Sequence, residues 1–408
     1  MGRTDTAAAE GYVTELAYTL GYYPELDPRQ VCERLRQLGF EPPAIRRACE
    51  PGFGQGLSLA IHAVAGDVEW WGNDLLPQHL ATVGELAGGL ADRLHVFGES
   101  FADFCSRGDL PEFDFIAMHG VWSWISSANR ARLIEFVVRQ LAPRGVLYLS
   151  YNLREAWAPV RPLREFLVAH AARPELAALP LAERIEAALE AAQAVVAGDL
   201  PPARDDPGFE RHLRSIRHQS KAYLAHEYFN RDWQVFDTEE IAGSFRGTGL
   251  QYAGQARASA PAEGAARFRR DLWVRGLTRL APRQHTPTAQ ASPRPARFDL
   301  VSRLNDRLLQ RALRDPYLST LASPVTGGGV ELGWRTLLAL SAWRAGVRGE
   351  SAMAANIQAA LQASGHPFVH RDVVIRDPAE VQVMLQREAC EFIEQTLPRL
   401  RALGIEAD

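Results

Sequence analysis

The segment Glu50-Pro51-Gly52-Phe53-Gly54-Gln55-Gly56 places glycine at three alternate positions behind an acidic residue. Glycines at that spacing let the backbone turn sharply and approach a ligand that any Cβ would hold off. A strand-like run, Ile45–Glu50, precedes the segment and a helical pattern opens near Leu57, so a helix N-terminus would face the ligand. The spacing separates two chemistries. Dinucleotide folds use GxGxxG, with the pyrophosphate on the helix dipole. An acidic residue followed by GxGxG suits a cationic ligand, a sulfonium above all, with a carboxylate nearby.

Further apolar runs that read as strands end in groups able to meet such a ligand. Trp70-Trp71-Gly72-Asn73-Asp74 lies about 20 residues beyond the glycines, where a carboxylate accepts hydrogen bonds from ribose hydroxyls. Asp74 is better placed for this than Glu69; the alternative is that Asp74 only caps a helix containing Leu75–Leu80. Glu99-Ser100-Phe101 offers an acid, a hydroxyl and an aromatic where an adenine ring would lie, although Phe101 also fits an ordinary core position. The next run ends in His119-Gly120-Val121-Trp122-Ser123-Trp124, at the carboxyl edge of the expected sheet. His119 titrates near neutrality when unperturbed and is a candidate general base, with packing as the alternative. Trp122 and Trp124 could wall an acceptor pocket, since an aromatic face suits a cationic amine or a sulfonium methyl. At least one of the two is expected in the core.

Tyr12, Tyr18, Tyr22 and Tyr23 cluster around Gly21, and this segment is expected to fold over the cleft. Each phenol has an apolar body and a polar tip, suited to closing a site or orienting a nucleophile, and plain packing is the alternative for each. Ser150-Tyr151-Asn152 ends the last strand-like run and could face the acceptor from the opposite wall. The candidate cofactor contacts are therefore Glu50, Gly52, Phe53, Gly54, Gly56, Asn73, Asp74, Glu99, Ser100, Phe101, His119 and Gly120. Tyr18, Tyr22, Trp122, Trp124, Tyr151 and Asn152 are candidate substrate contacts, with Tyr22, Tyr151 and His119 the candidate catalytic residues.

Elements that could bring these groups together are visible in the hydrophobic pattern. The runs Ile45–Glu50, Asp67–Asn73, Leu94–Glu99, Phe113–His119 and Val146–Tyr151 alternate with helical periodicity, the pattern of an α/β fold with a parallel sheet covered by helices. A helix, Pro28–Leu38, precedes them, with Val31, Leu35 and Leu38 at helical spacing. From Val160 to about Gly254 the periodicity is mainly helical, broken at Leu200–Gly208, and Arg269–Arg275 reads as a strand that could return to the first sheet. Residues 281–297, dense in proline, threonine, serine and glutamine, read as an exposed linker. Beyond it a small C-terminal α(+β) domain shows helical patterns at Leu300–Leu313, Trp334–Arg344, Met353–Ala363 and Pro378–Leu403. It also has turn signals at Asp315–Pro316 and Gly327–Gly329 and a strand at Val373–Ile375. The expected organisation is a catalytic domain over 1–158, a mostly helical domain over 159–280, the linker, and a recognition domain over 298–408.

A chain of 408 residues with 47% hydrophobic content can bury more than one core. A formal net charge of -4 gives no global basic field, so a nucleic-acid partner is not expected. Cys32, Cys49, Cys105 and Cys390 are scattered without CxxC spacing, which suggests neither a metal site nor a disulfide framework and fits a reducing cytoplasm. Met1–Glu10 lacks a secretory pattern, and no apolar run approaches the roughly 20 residues of a membrane span. Lys221 is the only lysine. Genomic base composition accounts for that most simply, and avoidance of self-modification by a lysine-modifying enzyme is the functional alternative.

With these residues in place, the chain resembles the bacterial class I methyltransferases that carry a methyltransferase regulatory domain, a group that includes outer-membrane-protein lysine methyltransferases. The resemblance rests on Tyr18-x3-Tyr22-Tyr23-Pro24-Glu25-Leu26-Asp27-Pro28, on Cys49-Glu50-Pro51-Gly52-Phe53-Gly54-Gln55-Gly56 and on His119-Gly120-Val121-Trp122-Ser123-Trp124-Ile125-Ser126. It continues through Tyr148-Leu149-Ser150-Tyr151-Asn152, Tyr223-Leu224-Ala225-His226-Glu227-Tyr228-Phe229-Asn230, Arg269–Gly276 and Ala322-Ser323-Pro324-Val325-Thr326-Gly327-Gly328-Gly329, and so covers nearly the whole chain. It implies a Rossmann-like sheet and S-adenosyl-L-methionine as cofactor, held by Glu50, Gly52, Gly54 and Gly56 with Asp74 on the ribose. Phe53 departs from the small residue common in the family at that place. The segment Tyr223–Asn230 corresponds to the regulatory domain, and some relatives imply a protein-lysine acceptor.

The reaction expected is in-line transfer of a methyl group to a nucleophile aligned and desolvated at the sheet edge, without a metal. A lysine amine would have to lose its proton first, with water, Tyr22 or Tyr151 assisting. Two other functions fit the residues: a small-molecule or glycan O- or N-methyltransferase, and a cofactor-binding regulatory partner without turnover.

Overall fold

The computed structural model describes residues 12–18, 21–89, 93–217, 219–257, 267–280, 349–364, 368–370, 373–375 and 378–398, together with Arg307, Ala342 and residues 346–347. The expected linker, both turn signals and, apart from Arg307 and Ala342, the patterns Leu300–Leu313 and Trp334–Arg344 lie outside the described residues.

The first helix, α1 (Pro28–Gln37), starts where its sequence says it should. The Asp27 carboxylate accepts the Arg29 N–H at 2.9 Å, proline occupies the first helical position, and Val31 and Leu35 bury one face. Five parallel strands follow: β1 (Arg47–Pro51), β2 (Glu69–Asn73), β3 (Leu94–Phe97), β4 (Phe113–Met118) and β5 (Leu141–Asn152). The helices α2 (Leu57–Ala65), α3 (Pro77–Ala87), α4 (Phe101–Ser106) and α5 (Ser127–Gln140) connect them. Two antiparallel strands, β6 (Leu250–Gln255) and β7 (Phe268–Arg275), complete the sheet in the order β3-β2-β1-β4-β5-β7-β6. This is the expected Rossmann-like sheet, and the run at Arg269–Arg275 does return to it, pairing Tyr151 with Arg269 and Tyr148 with Leu272.

Both faces of the sheet are covered, so the strands read as nearly continuous apolar runs. On β5, Leu147, Leu149 and Tyr151 join one core with Phe136 and Trp273, while Val146 and Tyr148 join the other with Trp70, Phe115 and Leu272. This two-residue alternation decides which side chains can reach a given site. The edge strand β6 escaped the hydrophobic pattern because most of it is partly or fully exposed and Gly247 and Gly249 precede it.

Between β5 and β6 in the chain lie α6 (Arg154–Trp157), α7 (Arg161–Ala171), α8 (Leu181–Ala197), α9 (Pro207–Ile216), α10 (Lys221–Tyr228) and α11 (Thr238–Ser244). Leu163, Leu167, Ile185, Phe209 and Leu224 form a third core, which also takes in Val13 from the segment ahead of α1. The hydroxyl of Ser220 caps α10 by accepting the Tyr223 N–H at 3.0 Å, a contact worth about 1 kcal/mol. Towards the C-terminus, helices Glu350–Ser364 and Pro378–Glu391 accompany a hairpin of Phe368–His370 and Val373–Ile375, and they bury Met353, Ile357 and Leu385. Arg307 caps the end of α3, donating to the carbonyls of Leu86 at 3.0 Å and Gly88 at 2.9 Å. Among the described residues no helix is long and apolar enough to cross a membrane.

Candidate functional site

The carboxyl ends of the strands open into a cavity of about 360 Å³, within the range of small-molecule sites. Its floor is the turn after β1. Gly52, Gly54 and Gly56 all have positive φ, between 62° and 71°. A Cβ on Gly52 would lie 2.8 Å from Val121, whereas one on Gly54 would meet nothing nearer than Tyr18 at 3.9 Å and would occupy ligand space instead.

Asp74 fastens this turn. One carboxylate oxygen accepts the Gly54 N–H at 2.9 Å; the other accepts the Leu76 N–H at 2.9 Å and lies 2.8 Å from His79 Nδ1. Asp74 is not the N-cap of α3, which starts at Pro77 behind Leu76; it holds the Leu76 N–H just ahead of the helix while lining the cleft. Asn73 donates to the Glu99 carbonyl at 2.9 Å, and Arg107 holds one Glu99 oxygen at 2.7 Å. The Ser100 hydroxyl accepts the Asp103 N–H and so caps α4, while Phe101 packs beside Gly52.

Three strand ends carry buried acceptors with no partner among the described residues: Glu50 Oε2, Asn73 Oδ1 and Glu99 Oε2. Burial, with the Asp74 carboxylate adding to it, pushes the Glu50 carboxyl up to about 8. A protonated or unpaired acid in that position is what a cationic, donor-rich ligand would correct. The floor therefore fits S-adenosyl-L-methionine, whose ammonium, sulfonium and ribose hydroxyls match spare carboxylate and amide oxygens beside glycines that leave room.

The roof comes from far away in the chain. Tyr12, Tyr18 and Tyr23 all line the cavity, as the tyrosine cluster led us to expect. Tyr18 donates its hydroxyl to Glu227 Oε1 at 2.8 Å and its N–H to His79 Nε2 at 3.2 Å, and its carbonyl accepts from Gln55. The Val13 N–H donates to Asn230 Oδ1 at 2.9 Å, and the Asn230 amide donates in turn to the His226 carbonyl at 2.8 Å. Further along, Glu25 pairs with Arg257 at 2.6 Å and Arg270 at 2.7 Å. Residues 12–18 and 21–27 thus form a strap joining the glycine turn to α10.

Of the residues singled out from sequence, all twelve candidate cofactor contacts line the cavity, as do Tyr18, Trp124 and Asn152. Tyr22, Trp122 and Tyr151 do not. Tyr22 packs on His62 of α2 with ring centroids 5.5 Å apart. Trp122 lies in the core against Phe245. Tyr151 points to the sheet face opposite Tyr148 by strand parity, where its hydroxyl donates to Asp271 at 2.8 Å. His119 reaches the cavity, but its Nδ1 lies 2.8 Å from the Tyr148 hydroxyl and its ring lies against Tyr23 at 3.7 Å between centroids. Burial first, then Arg270 and Arg257, hold its pKa well below the usual histidine range, which makes it a poor acceptor for an ammonium proton. Glu227, Tyr223, Arg267 and Arg270 line the cavity and were not singled out for the site. The run Tyr223-Leu224-Ala225-His226-Glu227-Tyr228, with an acid between aromatics on a helix, was the available signal.

Comparison with known proteins bears on the fold that carries this site. Residues 220–266, which include α10 and β6, match the family described as "Predicted methyltransferase regulatory domain". An uncharacterized protein of Synechocystis sp., sll1526, is 30% identical over 311 residues, covering 68% of this chain and 60% of that protein. A second, RP789 of Rickettsia prowazekii, is 24% identical over 264 residues, covering 61% of this chain and 45% of that one. The chain therefore spans about half to three fifths of the length of these relatives. Among solved structures, PKMT2 from Rickettsia typhi in complex with AdoHcy superposes with a TM-score of 0.60, at 12% identity over 95% of this chain and 99% of that one. A segment that matches the methyltransferase regulatory domain model is thus set on a Rossmann-like class I methyltransferase fold.

Proposed function

We propose that this protein is an S-adenosyl-L-methionine-dependent methyltransferase whose acceptor is an amine, a protein lysine side chain above all. The observation that carries the reading is the convergence of unpartnered acceptors on Glu50, Asn73 and Glu99 around a glycine turn whose Gly54 Cβ position is vacant. When bound, the cofactor would supply a methyl group already activated on a sulfonium sulfur. Glu50 and the backbone at Gly52 and Gly54 would hold its amino-acid end, and Asp74 would meet the ribose while keeping the turn in place. Ser100 and Phe101 would border the adenine. The aromatic residues Tyr18, Tyr23 and Trp124 line the cavity, where they would exclude water and give a cation a π face to rest on. An amine suits these surroundings, and the lysine reading takes support from the resemblance to PKMT2 of Rickettsia typhi.

Calorimetric titration with S-adenosyl-L-methionine tests the cofactor claim. The parent is expected to bind, and Gly54→Trp, which fills the vacant position above the turn, is expected to lose at least about 100-fold in affinity while remaining folded. A folded parent that binds no cofactor would falsify the proposal. Mass spectrometry of lysine-rich outer-membrane polypeptides, small amines and glycans incubated with enzyme then identifies the acceptor class.

A further inference from the structure

We propose that Glu227, carried into the cleft by α10, binds the methyl-accepting amine as its ammonium ion and takes the proton that the nitrogen must lose before it becomes a nucleophile. The inference rests on the amine-methyltransferase reading above. Among the described residues four acids line the cavity, and Glu50, Asp74 and Glu99 all belong to the strand-end floor. Glu227 is the acid of the roof. Tyr18 occupies one of its oxygens at 2.8 Å, and no arginine or lysine pairs with it among the described residues. An incoming cation would therefore meet an uncompensated carboxylate among phenol rings.

The other titratable groups near Glu227 are poorly suited to the role. Burial raises the phenols of Tyr12, Tyr18, Tyr23, Tyr223 and Tyr228 above their ordinary range, so they remain protonated donors. His226 is lowered to about 4 by burial, and its two ring nitrogens already face the Tyr12 hydroxyl at 3.1 Å and the Leu16 carbonyl at 2.7 Å. Glu227 alone on this wall sits near neutrality: burial raises it to about 7, against the lowering effect of the Tyr18 hydrogen bond. Burial acts in opposite senses on a carboxylic acid and an amine, bringing their proton affinities together. In the step, one N–H bond of the ammonium breaks and an O–H bond forms on Glu227. The electron pair stays on nitrogen, ready to attack carbon, and the proton leaves to solvent once the product has gone.

The test uses the full chain saturated with S-adenosylhomocysteine and follows n-butylamine binding by ligand-observed NMR between pH 6 and pH 8. In the parent, affinity should rise about tenfold over this range as Glu227 ionises. In Glu227→Gln the rise should vanish and affinity at pH 8 should fall at least about tenfold, with S-adenosylhomocysteine affinity kept within about threefold. Tyr18→Phe removes the hydrogen bond that favours the ionised acid, so it should move the rise to higher pH. Unchanged amine binding in Glu227→Gln, or no amine binding in the parent, overturns the inference. Loss of S-adenosylhomocysteine from Glu227→Gln also overturns it, by assigning the residue to the cofactor. A parent that takes up no S-adenosylhomocysteine overturns the methyltransferase reading, and this inference falls with it.

Discussion

The floor and the roof of the cleft are assembled in different ways. The floor is a succession of strand ends, each delivering its polar group within a few residues of the strand that carries it: Glu50 from β1, Asn73 and Asp74 from β2, Glu99 just beyond β3. The roof is made by residues that meet only after the chain has folded back on itself, Tyr18 against Glu227 and Val13 against Asn230. A floor of this kind is fixed by the sheet and tolerates changes elsewhere. A roof of this kind depends on long-range contacts and is open to adjustment.

The sharpest way to break that contrast is at Asp74, because it ties the glycine turn to α3. Asp74→Ala leaves the Gly54 and Leu76 N–H groups without their acceptor and removes the partner of His79. Cofactor affinity should fall more than about 100-fold and stability by about 1–3 kcal/mol, read by calorimetry and chemical denaturation. A loss confined to stability would show that the turn does not need its fastener to bind.

Glu50→Gln separates the floor's function from its cost. The carboxyl is raised to about 8 in the folded protein, so the stability it contributes is present at low pH, below the unfolded value, and drains away as pH rises through the folded one. The glutamine variant without ligand should therefore gain melting temperature relative to the parent between pH 6 and pH 8, by the equivalent of on the order of 2 kcal/mol. Its affinity for S-adenosyl-L-methionine should drop at least about tenfold. Equal melting behaviour at both pH values would show that Glu50 is ionised in the free protein.

The smallest effect is expected at the roof. Asn230→Ala strands the Val13 N–H and the His226 carbonyl, and should cost about 1–2 kcal/mol and weaken cofactor binding only a few-fold. Limited proteolysis should then cut within residues 12–27 before it cuts the sheet. A cofactor loss as large as that of Asp74→Ala would erase the distinction between the two walls.

What the sequence makes legible follows the same division. Strand ends announce themselves locally: a glycine triplet after an apolar run, or an acid at the close of the next one, carries its meaning within ten residues, and each such residue lies where the pattern put it. Strand parity was the first obstacle. Tyr151 and Asn152 are neighbours with opposite faces, and only the pairing of β5 with β4 and β7 decides which one meets the cleft. Trp122 and Trp124 raise the same difficulty in a short helical turn, where burial beside Phe245 claims the first and the cavity the second. The second obstacle was distance. Glu227 lies on a helix whose local pattern indicates burial, and its nearness to Tyr18 arises from the packing of a separate core. The edge strand β6 was missed for a third reason, a half-exposed surface that leaves no apolar period.

The strap also bears on how the protein is made. Tyr18 and Glu227 stand 209 positions apart, and Val13 and Asn230 stand 217 apart. At a translation rate of roughly 5–20 residues per second, the ribosome delivers the second member of the Tyr18–Glu227 pair about 10–40 seconds after the first. During that interval β1 to β5 can form, with the strap held on the floor side by His79 and Gln55 and still without Glu227 and Asn230. A nascent chain released early would expose the cleft floor together with Val13 and Leu16, which the finished protein packs against the helical core, a form that chaperones and proteases can distinguish from the finished protein.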